Sequence, residues 1–244
     1  MPSHLQTAIR VKPRAGPRAL PTVKAARSLF SDSAYRLLKQ RIVSNEYPGG
    51  CQILEEDMAA DLGISRTPLK EALLKLQAEG LVELVPRRGV RVIPLTANDI
   101  VEIYSVLEAL EDLAVKLLGE RDDAGKDIAA LQADVGAMQA ALRIDDLDAW
   151  AAADERFHTQ LVAASGNSRL GRAAGVLLAQ SQRFRMFTLR LRPKPVKSTR
   201  NHVDLVKALK DGDIKRARRV HAEQKASWRE AMSALLNKFK ITQI

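Results

Sequence analysis

The stretch ISRTPLKEALLKLQAEGLVELVPRRGVRVIP, residues 64–94, carries the signals of a helix followed by a β-hairpin. Ser65 is a good N-cap, Pro68 lies in the first helical turn, where its missing N–H costs little, and Gly80 ends the helix. Two runs of alternating apolar residues then flank a PRRG turn that contains Gly89. The stretch therefore predicts a helix that leads directly into a small hairpin.

Two more helices are predicted before this stretch. SDSAYRLLKQRIV has an apolar stripe at helical spacing, begins at a cap on Ser31 or Ser33, and is stopped by YPGG. EEDMAADL starts at about Glu55 and ends at Gly63. Three helices and a hairpin in this order describe a winged helix-turn-helix over residues 31–95.

The rest of the chain has almost only helical periodicity. PLTAND marks the boundary, because Thr96 and Asp99 match the capping box of a new helix. The fold class is therefore mainly α, with an antiparallel α-helical bundle over residues 96–244 that follows the winged module. The predicted helices of the bundle are 97–119, 124–143, 146–165, 168–191, 199–210 and 213–238.

Composition limits the remaining possibilities. The single cysteine, Cys51, excludes an internal disulfide framework and fits a reducing, cytoplasmic setting, and no apolar run is long enough to span a bilayer. Residues 1–30 carry six Lys/Arg, no acidic residue and four prolines, which predicts a disordered basic arm. Such an arm contacts DNA loosely or is a solvated tail, and its prolines argue against a transit peptide.

The helix that begins at residue 66 has the features of a DNA-reading helix. The N-terminal part of the second helix of a helix-turn-helix enters the major groove, where an arginine fork grips guanine O6 and N7 together. A basic hairpin tip is suited to the DNA backbone or the minor groove. The alternative is that these residues are solvated caps and turns. The candidate DNA-binding residues are Ser65, Arg66, Thr67, Lys70, Arg87, Arg88 and Gly89.

Three of the four histidines fall in the predicted bundle, together with a suitably placed carboxylate. Asp154 and His158 are four residues apart on one helix, so their side chains leave the same face. His202 and His221 follow on two later helices and converge with them if those helices pack alongside. Mixed nitrogen and oxygen donors suit Zn, Ni, Mn or Fe. The alternative is that they are ordinary core residues.

At this point the sequence resembles a known family. PGGCQILEEDMAADLGISRTPLKEALLKLQAEGLVELVPRRGVRVIPL is similar to the DNA-binding domain of GntR-family bacterial transcription regulators. EIYSVLEALEDLAVKL, DERFHTQLVAASGN, NHVDLVKALKDGD and RARRVHAEQ are similar to the all-helical effector (FCD) domain of the FadR-like subgroup. The resemblance implies a homodimer that binds a palindromic operator on double-stranded DNA and responds to a small-molecule effector, commonly a carboxylate.

The resemblance also implies functional residues in the bundle. It implies that one divalent metal per chain is bound by Asp154, His158, His202 and His221. Zn is the metal expected first. The basic run that follows offers Arg183 or Arg185 to an anionic effector. Two departures stand out, because Glu56 replaces a basic DNA-contacting residue and Leu107 replaces an arginine that faces the pocket in many relatives.

Two other functions compete with a ligand-responsive regulator. A metal with open coordination positions could activate water, which would make the protein a metal-dependent enzyme acting on a small carboxylate. No further general base has a clear position, and an enzyme would have no use for the winged module, so an enzyme is not predicted. The third possibility is a constitutive DNA binder in which the metal is purely structural.

Overall fold

A computed structural model describes residues 23–244 as nine helices and three short strands. This mainly α architecture confirms the predicted fold class. The elements, in chain order, are α1 (Val23–Val43), β1 (Gln52–Ile53), α2 (Glu55–Leu62), α3 (Arg66–Ala78), β2 (Val82–Val85), β3 (Gly89–Val92), α4 (Ala97–Gly119), α5 (Gly125–Arg143), α6 (Leu147–Ala164), α7 (Ser168–Thr188), α8 (Val196–Lys210) and α9 (Ile214–Phe239).

The N-terminal part is a winged helix-turn-helix whose wing has one strand more than predicted. β2 and β3 form the expected hairpin, and β1 pairs antiparallel with the other edge of β3, giving the strand order β1-β3-β2. α2 ends at Gly63, whose φ of 62° is the left-handed conformation that glycine adopts easily. β1 was missed because two residues are too few for an alternating pattern.

Helix α1 begins earlier than the sequence analysis predicts. It starts at Val23, so Ser31 and Ser33 lie inside it and do not cap it. Alanine and arginine, which favour helices, precede the expected cap and extend the helix towards the N-terminus. The predicted basic arm therefore overlaps α1 after residue 22, and its remaining part, with His4, lies outside the described residues.

Six helices form the C-terminal bundle, with α4 packed against α6, α7 and α9. The capping box of Thr96 and Asp99 is present at the start of α4, and Asp146, Asn167 and Asp213 cap α6, α7 and α9. α7 ends earlier than predicted, at Thr188, and α8 begins earlier than predicted, at Val196 directly after Pro195. No helix among residues 23–244 is long and apolar enough to cross a membrane.

Helix α7 joins the two parts of the molecule. Its residue Ala179 packs into the apolar core of the winged module. The Arg183 guanidinium donates to the carbonyl of Ile93 at 2.7 Å, at the end of the wing. Leu95 and Ile244 exchange two backbone hydrogen bonds of 2.9 Å, so the final residues run beside the connection between the modules. α7 thus contacts both the wing and the interior of the bundle.

Candidate functional site

Three of the four predicted metal ligands meet inside the bundle. Asp154 and His158 lie one turn apart on α6, and His202 reaches them from α8. One donor atom from each lies within 4.8 Å of the others, and all three side chains are buried. Asp154 Oδ1 is 3.1 Å from His202 Nε2 and 3.7 Å from His158 Nε2. This arrangement resembles a three-ligand site with further coordination positions open.

His221, the fourth predicted ligand, is placed differently. It is buried on α9, and its Nε2 lies 3.3 Å from Glu111 Oε2, so it does not join the group around Asp154. Its Nδ1 is buried without a hydrogen-bond partner in the described chain. The physical reason is the Glu111 carboxylate on α4, which competes for this imidazole. No acidic residue of α4 was among the ligands predicted from the sequence.

Glu111 is the functional residue that the sequence analysis missed. It is fully buried, accepts a 2.7 Å hydrogen bond from His158 Nδ1 and forms an ion pair with Lys225 of α9. Burial would raise its pKa, but the charges of Lys225 and His158 hold the pKa well below the ordinary value. One signal was available, because Glu111 follows Tyr104 and Leu107 along the buried stripe of α4, where a charged residue is unusual.

The hydrogen bond from His158 to Glu111 fixes the orientation of the imidazole. With Nδ1 as the donor, the lone pair of Nε2 remains on the side of Asp154. Metal-ligating histidines commonly donate their second ring N–H to a carboxylate in this way, which fixes the tautomer. Burial lowers the pKa of His158 to about 4, so the ring is neutral near pH 7.

A cavity of about 190 Å³ opens beside Asp154 and His158. This volume is below the roughly 300–1,000 Å³ of pockets for drug-sized ligands, so it suits a small metabolite. Among the described lining residues Asp154 is the only acid, and the cations come from α7, α8, α9 and the segment between α7 and α8. The five cations are Arg185, Arg192, Lys194, Lys197 and Lys225.

The structure separates the two arginines predicted to bind an effector. Arg185 is buried in the cavity wall, with Nε 3.6 Å from Asp154 Oδ2. Burial would lower its pKa, but the neighbouring carboxylates, Asp154 first, raise it. Arg183 lies two residues away and therefore on a different face of α7, where it contacts Ile93 and not the cavity. The structure therefore places Arg183 away from this cavity.

Position 107 holds a leucine, and the positive charge of the cavity wall comes from residues outside α4. Leu107 is fully buried in the apolar core of the bundle and does not line the cavity. Tyr104, one turn earlier on α4, reaches the cavity instead. The positive charge in the wall is therefore supplied by Arg185 and the residues after α7, which face α4 across the cavity.

The candidate DNA-binding residues form one exposed surface of the winged module. Ser65, Arg66, Thr67 and Lys70 are exposed at the start of α3, whereas Pro68 and Leu69 between them are buried. Arg87 and Arg88 are exposed at the tip of the wing. Gly89 has a structural role, because its φ is +85° and a Cβ would lie 2.3 Å from the carbonyl oxygen of Ile53. The cations of α3 and those of the wing tip are therefore all exposed to solvent.

Acidic residues of α2 line the same groove between α3 and the wing. Arg66 and Arg87 share this groove with Glu55 and Glu56. Arg66 Nη2 lies 3.5 Å from Glu56 Oε2, with side chains 78% and 63% exposed. Such a solvated ion pair is weak. Glu56 therefore competes with any anion that approaches Arg66, as its position in the sequence suggested.

Comparison with known proteins gives two family matches. The profile described as "Bacterial regulatory proteins, gntR family" matches residues 30–92, and that of the FCD domain matches residues 102–224. An uncharacterized HTH-type transcriptional regulator in the TAR-I ttuE-ttuC' intergenic region of Agrobacterium vitis is 45% identical over 133 residues, which cover 54% of this chain and 78% of that protein. The gluconate operon transcriptional repressor of Bacillus subtilis is 29% identical over a match that covers 72% of this chain and 74% of that protein.

Two solved structures have the same fold. E. coli McbR/YncC matches with a TM-score of 0.74 and 22% identity, over 86% of this chain and 98% of that chain. A GntR transcriptional regulator from Rhodococcus sp. RHA1 matches with a TM-score of 0.69 and 21% identity, over 85% and 97%. At these identities the likeness establishes the architecture alone.

Proposed function

The chain belongs to the GntR family of bacterial regulatory proteins and carries an FCD domain, and from this membership we propose that it acts as a metal-containing, carboxylate-responsive homodimer on a palindromic operator. Its family and relatives are transcriptional regulators and not enzymes. The observation that carries the ligand-binding half of the proposal is the buried Asp154, His158 and His202 cluster beside a cavity with five cations.

The DNA-binding half of the proposal rests on the exposed cations of α3 and the wing. Arg66 reads a guanine in the major groove, Lys70 binds phosphate or guanine, and Arg87 and Arg88 contact the DNA backbone. Residues 31–95 contain equal numbers of acidic and basic residues, so one copy attracts DNA weakly by charge alone. A dimer doubles the contacts, and its symmetry requires a palindrome.

The effector half of the proposal rests on the charge of the cavity wall. Five cations surround one carboxylate, which favours an anionic ligand of small size. Arg185 lies beside Asp154 at the buried end of the cavity. A ligand carboxylate at this position would accept hydrogen bonds from the guanidinium group of Arg185. A constitutive DNA binder with a structural metal, the remaining alternative, would show the same operator affinity with and without carboxylates.

The residues around Asp154 fit a divalent metal. One carboxylate and two imidazoles are suitable donors for Zn, and also for Ni, Mn or Fe, and Glu111 provides the outer hydrogen bond that such sites use. We propose Asp154, His158 and His202 as ligands, because their donor atoms lie within 4.8 Å of one another and His221 lies outside this group. When bound, the ion would offer its open coordination positions to the oxygens of the effector.

Metal content tests this assignment directly. We expect purified wild-type protein to contain close to one divalent metal per chain by elemental analysis, and His202→Ala to contain almost none, because two donors at one site bind metal poorly. His4→Ala is the matched control, since His4 belongs to the N-terminal arm, and it should keep the metal. Equal metal contents in wild type and His202→Ala would exclude this ligand set.

Removal of the negative charge of Glu56 is expected to increase the affinity for DNA. Glu56→Gln removes the partner of Arg66 and one negative charge from the groove, so we expect operator binding to tighten about 2- to 10-fold at low salt. Fluorescence anisotropy with a labelled operator duplex measures this change. Glu71→Gln, on the same module, controls for net charge, and an equal gain from both variants would argue against a specific Arg66–Glu56 contact.

A further inference from the structure

Arg192 has an environment that the proposed metal and Arg185 do not explain. It follows α7 and lines the cavity, with its guanidinium carbon 4.8 Å from the ring centre of Trp228 and 5.7 Å from that of Trp150. Contacts at these distances between a guanidinium and an indole are favourable cation–π interactions. The two indoles therefore hold the charged group in a fixed place at the cavity wall.

The polar edge of this guanidinium lacks a partner. Arg192 Nε and Nη2 are both buried, and neither has a hydrogen-bond partner within residues 23–244. Burial lowers the pKa of Arg192 and outweighs the opposing charge of Asp154, and no described carboxylate lies at ion-pair distance from the guanidinium. Buried donors are nearly always satisfied, and two orphaned N–H groups on one charged side chain indicate a missing acceptor.

The two orphaned nitrogens define the geometry of that acceptor. Nε and Nη2 lie on the same edge of the planar guanidinium, and their N–H groups point in parallel. A carboxylate places its two oxygens at the matching spacing and forms two charge-assisted hydrogen bonds with such an edge. The indoles contact the charged group, and the buried edge that carries Nε and Nη2 is the part of the side chain that no described residue pairs.

Arg192 is distinct from the cations at the buried end of the cavity. Arg185 is close to Asp154, and Lys225 is paired with Glu111, so both belong to the ionic network of α4 and α6. Arg192 has no ion pair with any described residue. Asp154 acts on both arginines through its charge, but only Arg185 lies at ion-pair distance from it, so the Arg192 edge offers a second position for negative charge.

We propose that the effector is a small dicarboxylate, one carboxylate of which is bound beside Asp154 and Arg185 while the other is gripped by the Arg192 edge between Trp150 and Trp228. This inference rests on the proposed carboxylate-responsive function and narrows its ligand class. The cavity volume of about 190 Å³ limits the ligand to a short chain between the two acids. Arg192 is then the residue that distinguishes dicarboxylates from monocarboxylates.

The affinities of matched acids test the inference. Calorimetric titration of the full-length, metal-loaded protein would use butyrate as the monocarboxylate and malonate, succinate, glutarate and adipate as dicarboxylates. We expect at least one dicarboxylate to bind about 10- to 100-fold more tightly than butyrate, as a charge-assisted bidentate contact allows. Trp150 and Trp228 are the only tryptophans, so a parallel fluorescence change locates the binding in this cavity.

Two variants separate the Arg192 contact from general charge effects. Arg192→Met should remove the dicarboxylate preference, so that the best dicarboxylate binds this variant no more tightly than butyrate does. Arg190→Met removes the same charge two residues away, where the side chain is exposed and paired with Asp148, and should behave like wild type. Unfolding midpoints measured in parallel ensure that each variant is compared as a folded protein.

The possible failures are distinguishable. Equal binding of butyrate and every dicarboxylate by the wild type, or a dicarboxylate preference that survives Arg192→Met, would overturn the second anion position and leave a carboxylate effector in place. Absence of binding of any acid to the wild type would instead overturn the proposed effector class, and the inference with it.

Discussion

Replacement of Glu111 by glutamine is expected to lower the free energy of unfolding by about 3–5 kcal/mol, with a melting temperature roughly 6–20 °C lower. The carboxylate is fully buried and is the ion-pair partner of Lys225, whose side chain is itself only 8% exposed. Glutamine preserves the shape of the residue but leaves the ammonium group in the bundle interior without a counter-charge. Desolvation of that unpaired charge is the dominant cost. Thermal and urea unfolding monitored by circular dichroism would measure it.

A second ion pair between α4 and α9, the helices that carry Glu111 and Lys225, provides a matched control. Glu108 on α4 forms an ion pair with Arg229 on α9, but that pair is partly exposed to solvent. Glu108→Gln should therefore cost less than about 1 kcal/mol, because water and salt screen an exposed pair. A similar loss for Glu108→Gln and Glu111→Gln would contradict the assignment of the cost to burial.

A double variant tests the mechanism of the loss. Lys225→Met added to Glu111→Gln removes the stranded ammonium group, and a buried ion pair is often replaceable by apolar groups at little net cost. We expect the double variant to recover at least half of the stability lost in the single variant. No recovery would indicate that the contact between Glu111 and His158, and not the ion pair, carries the stabilisation.

Replacement of Arg66 by alanine is expected to abolish specific operator binding under ordinary assay conditions. A bidentate contact to guanine contributes about 1–3 kcal/mol, and the proposed dimer on a palindrome would have two copies, so the expected loss is about 2–6 kcal/mol. That range corresponds to roughly 30-fold to 10⁴-fold in affinity. The probe is a duplex that the wild type selects from random DNA, and fluorescence anisotropy measures its binding.

Two further variants identify the type of contact that Arg66 makes. Arg66→Lys keeps the charge without the planar fork, so it should restore affinity for unselected DNA but not the preference for the selected duplex. Arg36→Ala removes an exposed arginine of α1 and should have little effect on that preference. Retention of the preference by Arg66→Ala would show that another residue reads the operator.

The sequence was sufficient for elements whose signals are local. Thr96 and Asp99 marked the start of α4 because a capping box is formed within four residues. Asp154 and His158 were predicted to share a face because helical spacing alone fixes it. The start of α1 was misplaced, since residues that favour a helix continue upstream of the expected cap, and β1 was too short to give a pattern.

Tertiary packing decided the composition of the ligand site. Arg183 and Arg185 were equivalent in the sequence, but the orientation of α7 places Arg185 beside Asp154 and Arg183 beside Ile93. Glu111 became part of the site because α4 packs against α6 and α9, which brings His158 and Lys225 to its carboxylate.

The sequence by itself therefore determined the fold class, the order of the two modules and the exposed cations of α3 and the wing, because caps, turns and periodicity act over a few residues. Only the tertiary structure decided which charged side chains share the cavity, which histidine stays outside the Asp154 group and where Arg192 lies. Those outcomes depend on how helices separated by many residues rotate against one another, and the burial of charge at their contacts then selects the partners.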